Sequence, residues 1–229
     1  MSWDKELKDY RYYLSLEKKL SENTVQAYLH DLARISNYME HTFGITEPEK
    51  VTADQIESFL AHLYDTGVEK ATQARELSGI KSFFNYLMLN DRIETAPTEF
   101  IEAPKIGRKL PDVLSVQEIN AVIGSIDLSS RFGHRNKAML ETLYSCGLRV
   151  SELITLRISD LFFTDGFIRV IGKGDKQRLV PISETAIRLI TLYLEQRRTM
   201  PVDEYYADTL FLNNKGKPLT RVMVFHIIR

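Results

Sequence analysis

The sequence predicts a mainly α-helical protein of two domains, with four helices in the first and an α+β unit carrying a small antiparallel sheet in the second. Three observations predict it. Apolar residues return at three and four through most of the chain up to Leu89, and Pro97, Pro104 and Pro111 break all periodicity across residues 95–111. Two β-branched runs, at 167–171 and 178–182, flank a glycine-supplied loop at 172–177. The resulting division is 1–94, a linker at 95–111, and 112–229.

In the first domain, Trp3, Leu7, Tyr10 and Leu14 mark a helix, and Val25, Tyr28, Leu29, Leu32, Ile35 and Met39 mark a second that stops near Gly44. Thr52 and Gln55 have capping-box spacing and open a third, with Ile56, Phe59, Leu60 and Leu63 on its apolar side and Gly67 closing it. The fourth runs from about Ala71 through Leu77, Ile80, Phe83, Phe84 and Leu87 to Leu89. Its aromatics Phe83, Phe84 and Tyr86 stand at helical spacing and read as core.

The second domain opens on another capping box, Ser115 with Glu118, and an apolar-periodic run over 137–144 meets Gly147. The two strand runs follow. Residues 184–198 are helical again, with Ile187, Leu189, Ile190, Tyr193 and Leu194 available for packing, and 213–218 is a turn. Thr220 caps a last helix with Val222, Val224, Phe225 and Ile228, and no turn signal closes it before Arg229. A domain cut short is expected to look this way.

Composition narrows the function. The 229 residues are 44% hydrophobic, enough for two cores, and their net charge of −1 excludes a histone-like wrapper or a bulk polyanion binder. The charge is unevenly placed: residues 1–104 hold 11 basic and 18 acidic side chains, a net −7, and residues 105–229 a net +6. A nucleic-acid site would therefore be local. The single cysteine, Cys146, excludes a disulfide framework and fits a reducing compartment. No apolar run approaches the eighteen or so residues of a membrane span, and the first residues lack the basic and apolar regions of a signal peptide, so a cytoplasmic protein is expected.

Two clusters of residues can do chemistry. Within G-L-R-V-S-E-L (147–153), Arg149 would lie in the first turn of a helix, where the dipole disfavours a cation and an anion would relieve it. A guanidinium there can hold two phosphate or carboxylate oxygens; alternatively Glu152, three residues on, pairs with it as an ordinary intrahelical ion pair. In the loop at 172–177 and the strand after it, Lys173, Lys176 and Arg178 crowd three cations around Asp175, either a solvated turn or a tip that awaits an anion. Walker A spacing is absent, His30, His41, His62, His134 and His226 form no metal-ligand motif, Cys146 reads as a small core residue, and no serine has a nucleophile-elbow setting.

The combination of an N-terminal helical bundle, a proline-bearing linker, G-L-R-V-S-E-L and the hairpin V-I-G-K-G-D-K-Q-R-L-V-P resembles the tyrosine site-specific recombinases, nearest their XerC/XerD branch. The resemblance covers essentially the whole chain, including E-N-T-V-Q-A-Y-L-H-D-L (22–32), the helix at 71–86 and R-K-L-P-D-V-L-S (108–115). It implies an N-terminal SAM-like core-binding domain and a C-terminal catalytic domain that clamp DNA. It also implies cleavage by a tyrosine that leaves a 3′-phosphotyrosyl link and a free 5′-hydroxyl. Arg149 matches the first catalytic arginine, Lys173 the hairpin lysine that protonates the leaving 5′-oxygen, and Glu152 an acidic position that helps hold the site together.

The family's H-x-L-R-H motif, a later His or Trp and the nucleophilic tyrosine belong beyond Arg229. His226 and Arg229 only mimic H-x-x-R, and Tyr193, Tyr205 and Tyr206 come too early. These residues are therefore expected to bind DNA without cutting it. Implied DNA contacts are Asn23, Thr24, Lys70, Thr72, Arg75, Lys81, Arg108, Lys109, Lys176 and Arg178. No metal, nucleotide or other cofactor is implied. The implied partners are a double-stranded recombination site, a homo- or hetero-tetramer with a second Xer-type recombinase, and a DNA translocase of the division machinery, in chromosome dimer resolution. A phage or mobile-element integrase and a non-catalytic DNA-binding protein are the alternatives; a helical module without DNA would leave Arg149 and the hairpin unexplained.

Overall fold

Helix α1 (Trp3–Tyr12) begins the first unit, followed by α2 (Glu22–Phe43), α3 (Ala53–Asp65) and α4 (Lys70–Leu89). The computed structural model describes residues 2–107 and 112–229, with Lys173 described by its backbone alone. The chain divides into two compact units, Met1–Leu110 and Pro111–Arg229. Local chemistry sets the helix ends. Ser21 Oγ accepts from Thr24 N–H at the start of α2, and Gly44 ends it at φ +67°, where a left-handed residue lets Ile45 N–H reach Met39 O at 3.1 Å. At α3 the side chain of Gln55 accepts from Thr52 N–H at 2.9 Å.

One boundary departs from expectation. The first helix is not regular through Leu14: after Tyr12 the chain enters a π-helical turn, Tyr13–Glu17, in which Lys18 N–H bonds back five residues to Tyr13 O. The wider turn still delivers Tyr10 and Leu14 to a core shared with Leu32, Ile35, Met39, Phe59, Ile80 and Phe83, all essentially buried. Tyr10 donates to Ser82 Oγ at 2.7 Å, which satisfies its buried hydroxyl.

Between α2 and α4 lie two fully buried carboxylates, Asp31 and Glu76. Arg75 on α4 bonds Asp31, and Arg34 on α2 bonds Glu76, so the two helices are cross-linked in both directions. Burial raises the Glu76 pKa above the usual carboxylate value, with Arg34 pulling the other way.

The second unit contains α5 (Val116–Gly124), α6 (Gly133–Ser145), the short α7 (Val150–Ile154), α8 (Glu184–Arg197) and α9 (Arg221–Ile228). Its sheet is β1 (Leu161–Phe162), β2 (Phe167–Ile171) and β3 (Gln177–Pro181), antiparallel in that order. The hairpin register pairs Val170 with Arg178 and Phe167 with Pro181, and Pro181 sits on an edge strand where a missing N–H costs no ladder bond. Relative to expectation β3 starts one residue earlier, and the two-residue β1 was unforeseen. The capping box of Ser115 and Glu118 is formed in both directions. Helices α6 and α8 pack together over a core containing Ala138, Met139, Leu153, Ile168, Ile190, Tyr193, Phe211 and Val224. Cys146 belongs to that core, and burial pushes its thiol pKa up.

Helix α6 starts at Gly133, four residues before the expected Lys137. A Cβ at Gly133 would stand 2.8 Å from Leu128 Cα and closer still to Asp127 O, both backbone atoms. Gly133→Ala is therefore expected to destabilise the second unit by about 1–3 kcal/mol, the usual range for overpacking. Chemical denaturation monitored by circular dichroism checks this, and unaltered stability would mean that the 127–128 turn yields freely.

Candidate active site

Gly147, at φ +57°, turns the chain out of α6, and Leu148 N–H closes the turn on Leu143 O. Arg149 follows in extended conformation as the N-cap of α7, one position ahead of the expected first turn. The expected pool of free helix N–H groups is also reduced. Glu152 reaches back and accepts the Arg149 N–H at 2.8 Å, so the acid, not an incoming anion, caps this five-residue helix. Whatever anion site exists here belongs to side chains.

The side chains build it. Glu152 is only 4% exposed, and its carboxylate receives four donors. Arg149 contributes its N–H and Nη1, the latter at 3.0 Å to Oε1; Arg178 contributes Nη1 to Oε1 at 2.7 Å and Nη2 to Oε2 at 2.9 Å. With the Arg178 fork first among the causes, the Glu152 pKa falls to about 2, so the group is a full anion at neutral pH. The intrahelical pair of Arg149 and Glu152 thus exists, yet among the described residues Arg149 Nε and Nη2 have no hydrogen-bond partner, and its side chain is 74% exposed. Such an arginine is fixed at one corner and open along one edge, a geometry that accepts a two-oxygen anion.

The hairpin stands beside this pair. A Cβ at Gly172 would lie 3.3 Å from Arg178 Nη1 and 3.4 Å from Glu152 Oε1, so the strand end passes directly over the ion pair. Gly172 N–H bonds Lys176 O at 2.8 Å to close the tip, with Gly174 at φ +72° and Asp175 at φ +55°. Lys176 is exposed there, and the backbone of Lys173 begins the tip.

The other expected contacts are distributed. Asn23 and Thr24 lie in the first turn of α2, Asn23 exposed and Thr24 Oγ1 bonded to Ser21 Oγ at 2.8 Å. Lys70, Thr72, Arg75 and Lys81 all stand on α4, where Lys70 and Arg75 are exposed and Thr72 and Lys81 half-buried. Arg108 and Lys109 lie outside the described residues. His226 is within α9 with Arg229 at its end, and Tyr193 is buried with its hydroxyl accepting from Leu212 N–H. Sequence reasoning missed two things: that Arg178 is the principal partner of Glu152, and that Arg34 joins Arg75 over buried acids. Asp31 does carry a signal, standing four residues before Ile35 on the buried stripe of α2. The Arg178 contact joins positions 26 apart and carries none.

Comparison with known proteins gives the family. Residues 112–229 match the Phage integrase family, and residues 7–91 match the Phage integrase N-terminal SAM-like domain. The chain belongs to the phage integrase family of tyrosine recombinases. Its relatives include the tyrosine recombinase XerD of Chlorobaculum tepidum, 40% identical over 99% of this chain and 75% of that protein. The XerD of Listeria monocytogenes is 37% identical over 97% and 75%. A crystal structure of XerH site-specific recombinase bound to palindromic difH substrate aligns with TM-score 0.71 and 26% identity, covering 89% of this chain and 62% of that one. A lambda integrase dimer on a COC' core site shares the fold at TM-score 0.74 and 17% identity. By family, the chain is a Xer-type recombinase, an enzyme of site-specific DNA recombination.

Proposed function

We propose that this chain clamps a double-stranded recombination site and holds a scissile phosphodiester on Arg149, with Lys173 as the general acid toward the leaving 5′-oxygen. The observation that carries the reading is the half-tethered Arg149, open along its Nε–Nη2 edge beside the lysine-bearing hairpin. In phosphoryl transfer, charge builds on the non-bridging oxygens and a preorganised guanidinium stabilises it. A lysine on an electropositive loop suits proton donation to a poor leaving group. The division into 1–94, a linker at 95–111, and 112–229 is part of the proposal.

The DNA contacts we assign are Asn23, Thr24, Lys70, Thr72, Arg75 and Lys81 on the first unit, Arg108 and Lys109 in the linker, and Lys176 on the hairpin; Arg178, expected among them, directs both terminal nitrogens to Glu152 instead. The net −7 of residues 1–104 opposes binding through phosphate neutralisation, so patterning has to offset it. Support comes from Arg34 and Arg75, which keep their guanidinium groups partly in solvent over buried Asp31 and Glu76. The relatives' name favours a XerD-type role in chromosome dimer resolution at cell division, in the cytoplasm. There the chain would act in a tetramer with itself or a second Xer-type recombinase, under a DNA translocase.

The 229 residues contain no match for the tyrosine nucleophile, so they are expected to bind without forming a covalent link. The test is a duplex enriched from a random pool by the chain itself. Binding should weaken steeply with salt, and Arg149→Gln should lower affinity by roughly tenfold, the scale of a charge-assisted hydrogen bond. A nicked version of the duplex should yield no covalent adduct. Salt-independent binding, or Arg149→Gln with unchanged affinity, overturns the phosphate site, and a trapped adduct overturns the non-cleaving reading.

A further inference from the structure

The Glu152 carboxylate has about four lone-pair sites, and all four are filled. Arg178 fills two of them with a bidentate fork at 2.7 and 2.9 Å, whereas Arg149 reaches the carboxylate with only one guanidinium nitrogen. Two arginines therefore share one buried acid unequally. We propose that Arg178 is a positioning residue for Arg149: by occupying both oxygens of Glu152 it keeps the Nε–Nη2 edge of Arg149 free for the phosphodiester.

Without that fork Glu152 would be left short of donors. Its side chain is 3% exposed, so water cannot replace the lost donors, and an unpaired buried carboxylate is costly. Among the described residues Arg149 is the remaining cation in contact, already bonded through Nη1. It would close on the carboxylate bidentately, and ligation of a phosphate would then require it to abandon a buried charge. With Arg178 in place the two demands are separate. The same fork ties β3 to α7, because Arg178 stands opposite Val170 in the hairpin and Gly172 leaves room for the pair beneath the strand end. Arg178 thus also sets where the tip that begins at Lys173 stands relative to Arg149.

This inference rests on the reading of Arg149 as a phosphate ligand, and the experiment separates the two. Single neutral methylphosphonates are placed at each position of the pool-selected duplex, and affinity is measured for the wild-type chain, Arg149→Gln, Arg178→Gln and Arg178→Lys. The wild-type chain should lose roughly tenfold at one phosphate, and Arg149→Gln should abolish that loss, which identifies the phosphate. Arg178→Gln should cut the same loss to below about threefold while the losses at other phosphates stay unchanged. Arg178→Lys, which keeps the charge without the fork, should fall between the two, and it decides alone if Arg178→Gln does not fold. A merely structural role would lower affinity for every duplex and leave the loss at that phosphate intact; full retention in folded Arg178 variants overturns the proposal. If no phosphate shows a loss that Arg149→Gln abolishes, the phosphate site falls and this inference with it.

Discussion

Glu152→Ala is expected to destabilise the second unit by about 2–4 kcal/mol. That lies at the lower end of the cost of breaking a buried ion pair, because Arg178 is 39% exposed and Arg149 74% exposed, so both can regain water. Two guanidinium groups and the Arg149 N–H lose their acceptor together, and the α7 cap and the hairpin tether fail in one step. Cys146, the single cysteine, is buried in the same core and gives a specific readout. Thiol labelling in rising denaturant should reach its midpoint much earlier in the variant. The pH dependence has a definite sign. The Glu152 pKa falls from an ordinary 4.5 to about 2 on folding, so its stabilisation is fully present above pH 4.5 and is lost as pH falls toward 2. The variant should lack this contribution to the acid branch. Wild-type-like labelling at neutral pH would show that Arg149 and Arg178 need no common acid.

What could be read from residues alone follows the range of the interaction. Helices α2, α3 and α5 were legible because their stripes and ends are local: Thr52 and Ser115 act within three residues, and Gly44 and Gly67 supply left-handed turns that other residues resist. The π turn at Tyr13–Glu17 was not, because the apolar spacing of Tyr10 and Leu14 is the same whether the backbone bonds back four or five residues. The one-residue difference in β3 has a similar origin. Gln177 is polar and exposed yet pairs with Ile171, and a two-residue period cannot tell an outward-facing strand residue from a loop residue.

In the site, Arg149 and Glu152 were legible because they are three apart. Their common partner Arg178 was not, since 26 residues separate it from Glu152 and its charge reads equally well as a phosphate contact. Likewise, the Arg34–Glu76 and Arg75–Asp31 pairs span 42 and 44 residues and depend on how α2 crosses α4. A residue chosen for positive charge alone can thus be spent inside the protein: of the two guanidinium groups expected at DNA on α4 and β3, Arg75 bonds its acid through Nη1, whereas Arg178 commits both terminal nitrogens to Glu152.

Phe83→Ala should cost the first unit about 3–5 kcal/mol, the range for emptying a large aromatic site in a core. Phe83 is fully buried and meets four other rings: Trp3 stacked at 5.8 Å, Tyr10 edge-on at 5.2 Å, Phe84 at 5.6 Å and Tyr86 at 6.3 Å. Rings on α1 and α4 therefore converge on one side chain, and neither Tyr10 nor Trp3 can fill the space by a simple rotamer change, because Tyr10 is pinned to Ser82 and Trp3 to Ile45 O. The remaining rings would keep much of their buried area but lose their common partner, so the cavity term adds to the transfer term. The single tryptophan makes this measurable, since Trp3 stacks on Phe83 itself. Its fluorescence should change in the folded variant, and its denaturation midpoint should fall well below wild type. Because Phe83 belongs to the core of the first unit, Cys146 labelling, which reports the other core, should shift far less. Equal shifts in both signals would mean that the two cores unfold as one, and a cost below about 1 kcal/mol would mean that the ring cluster repacks around alanine.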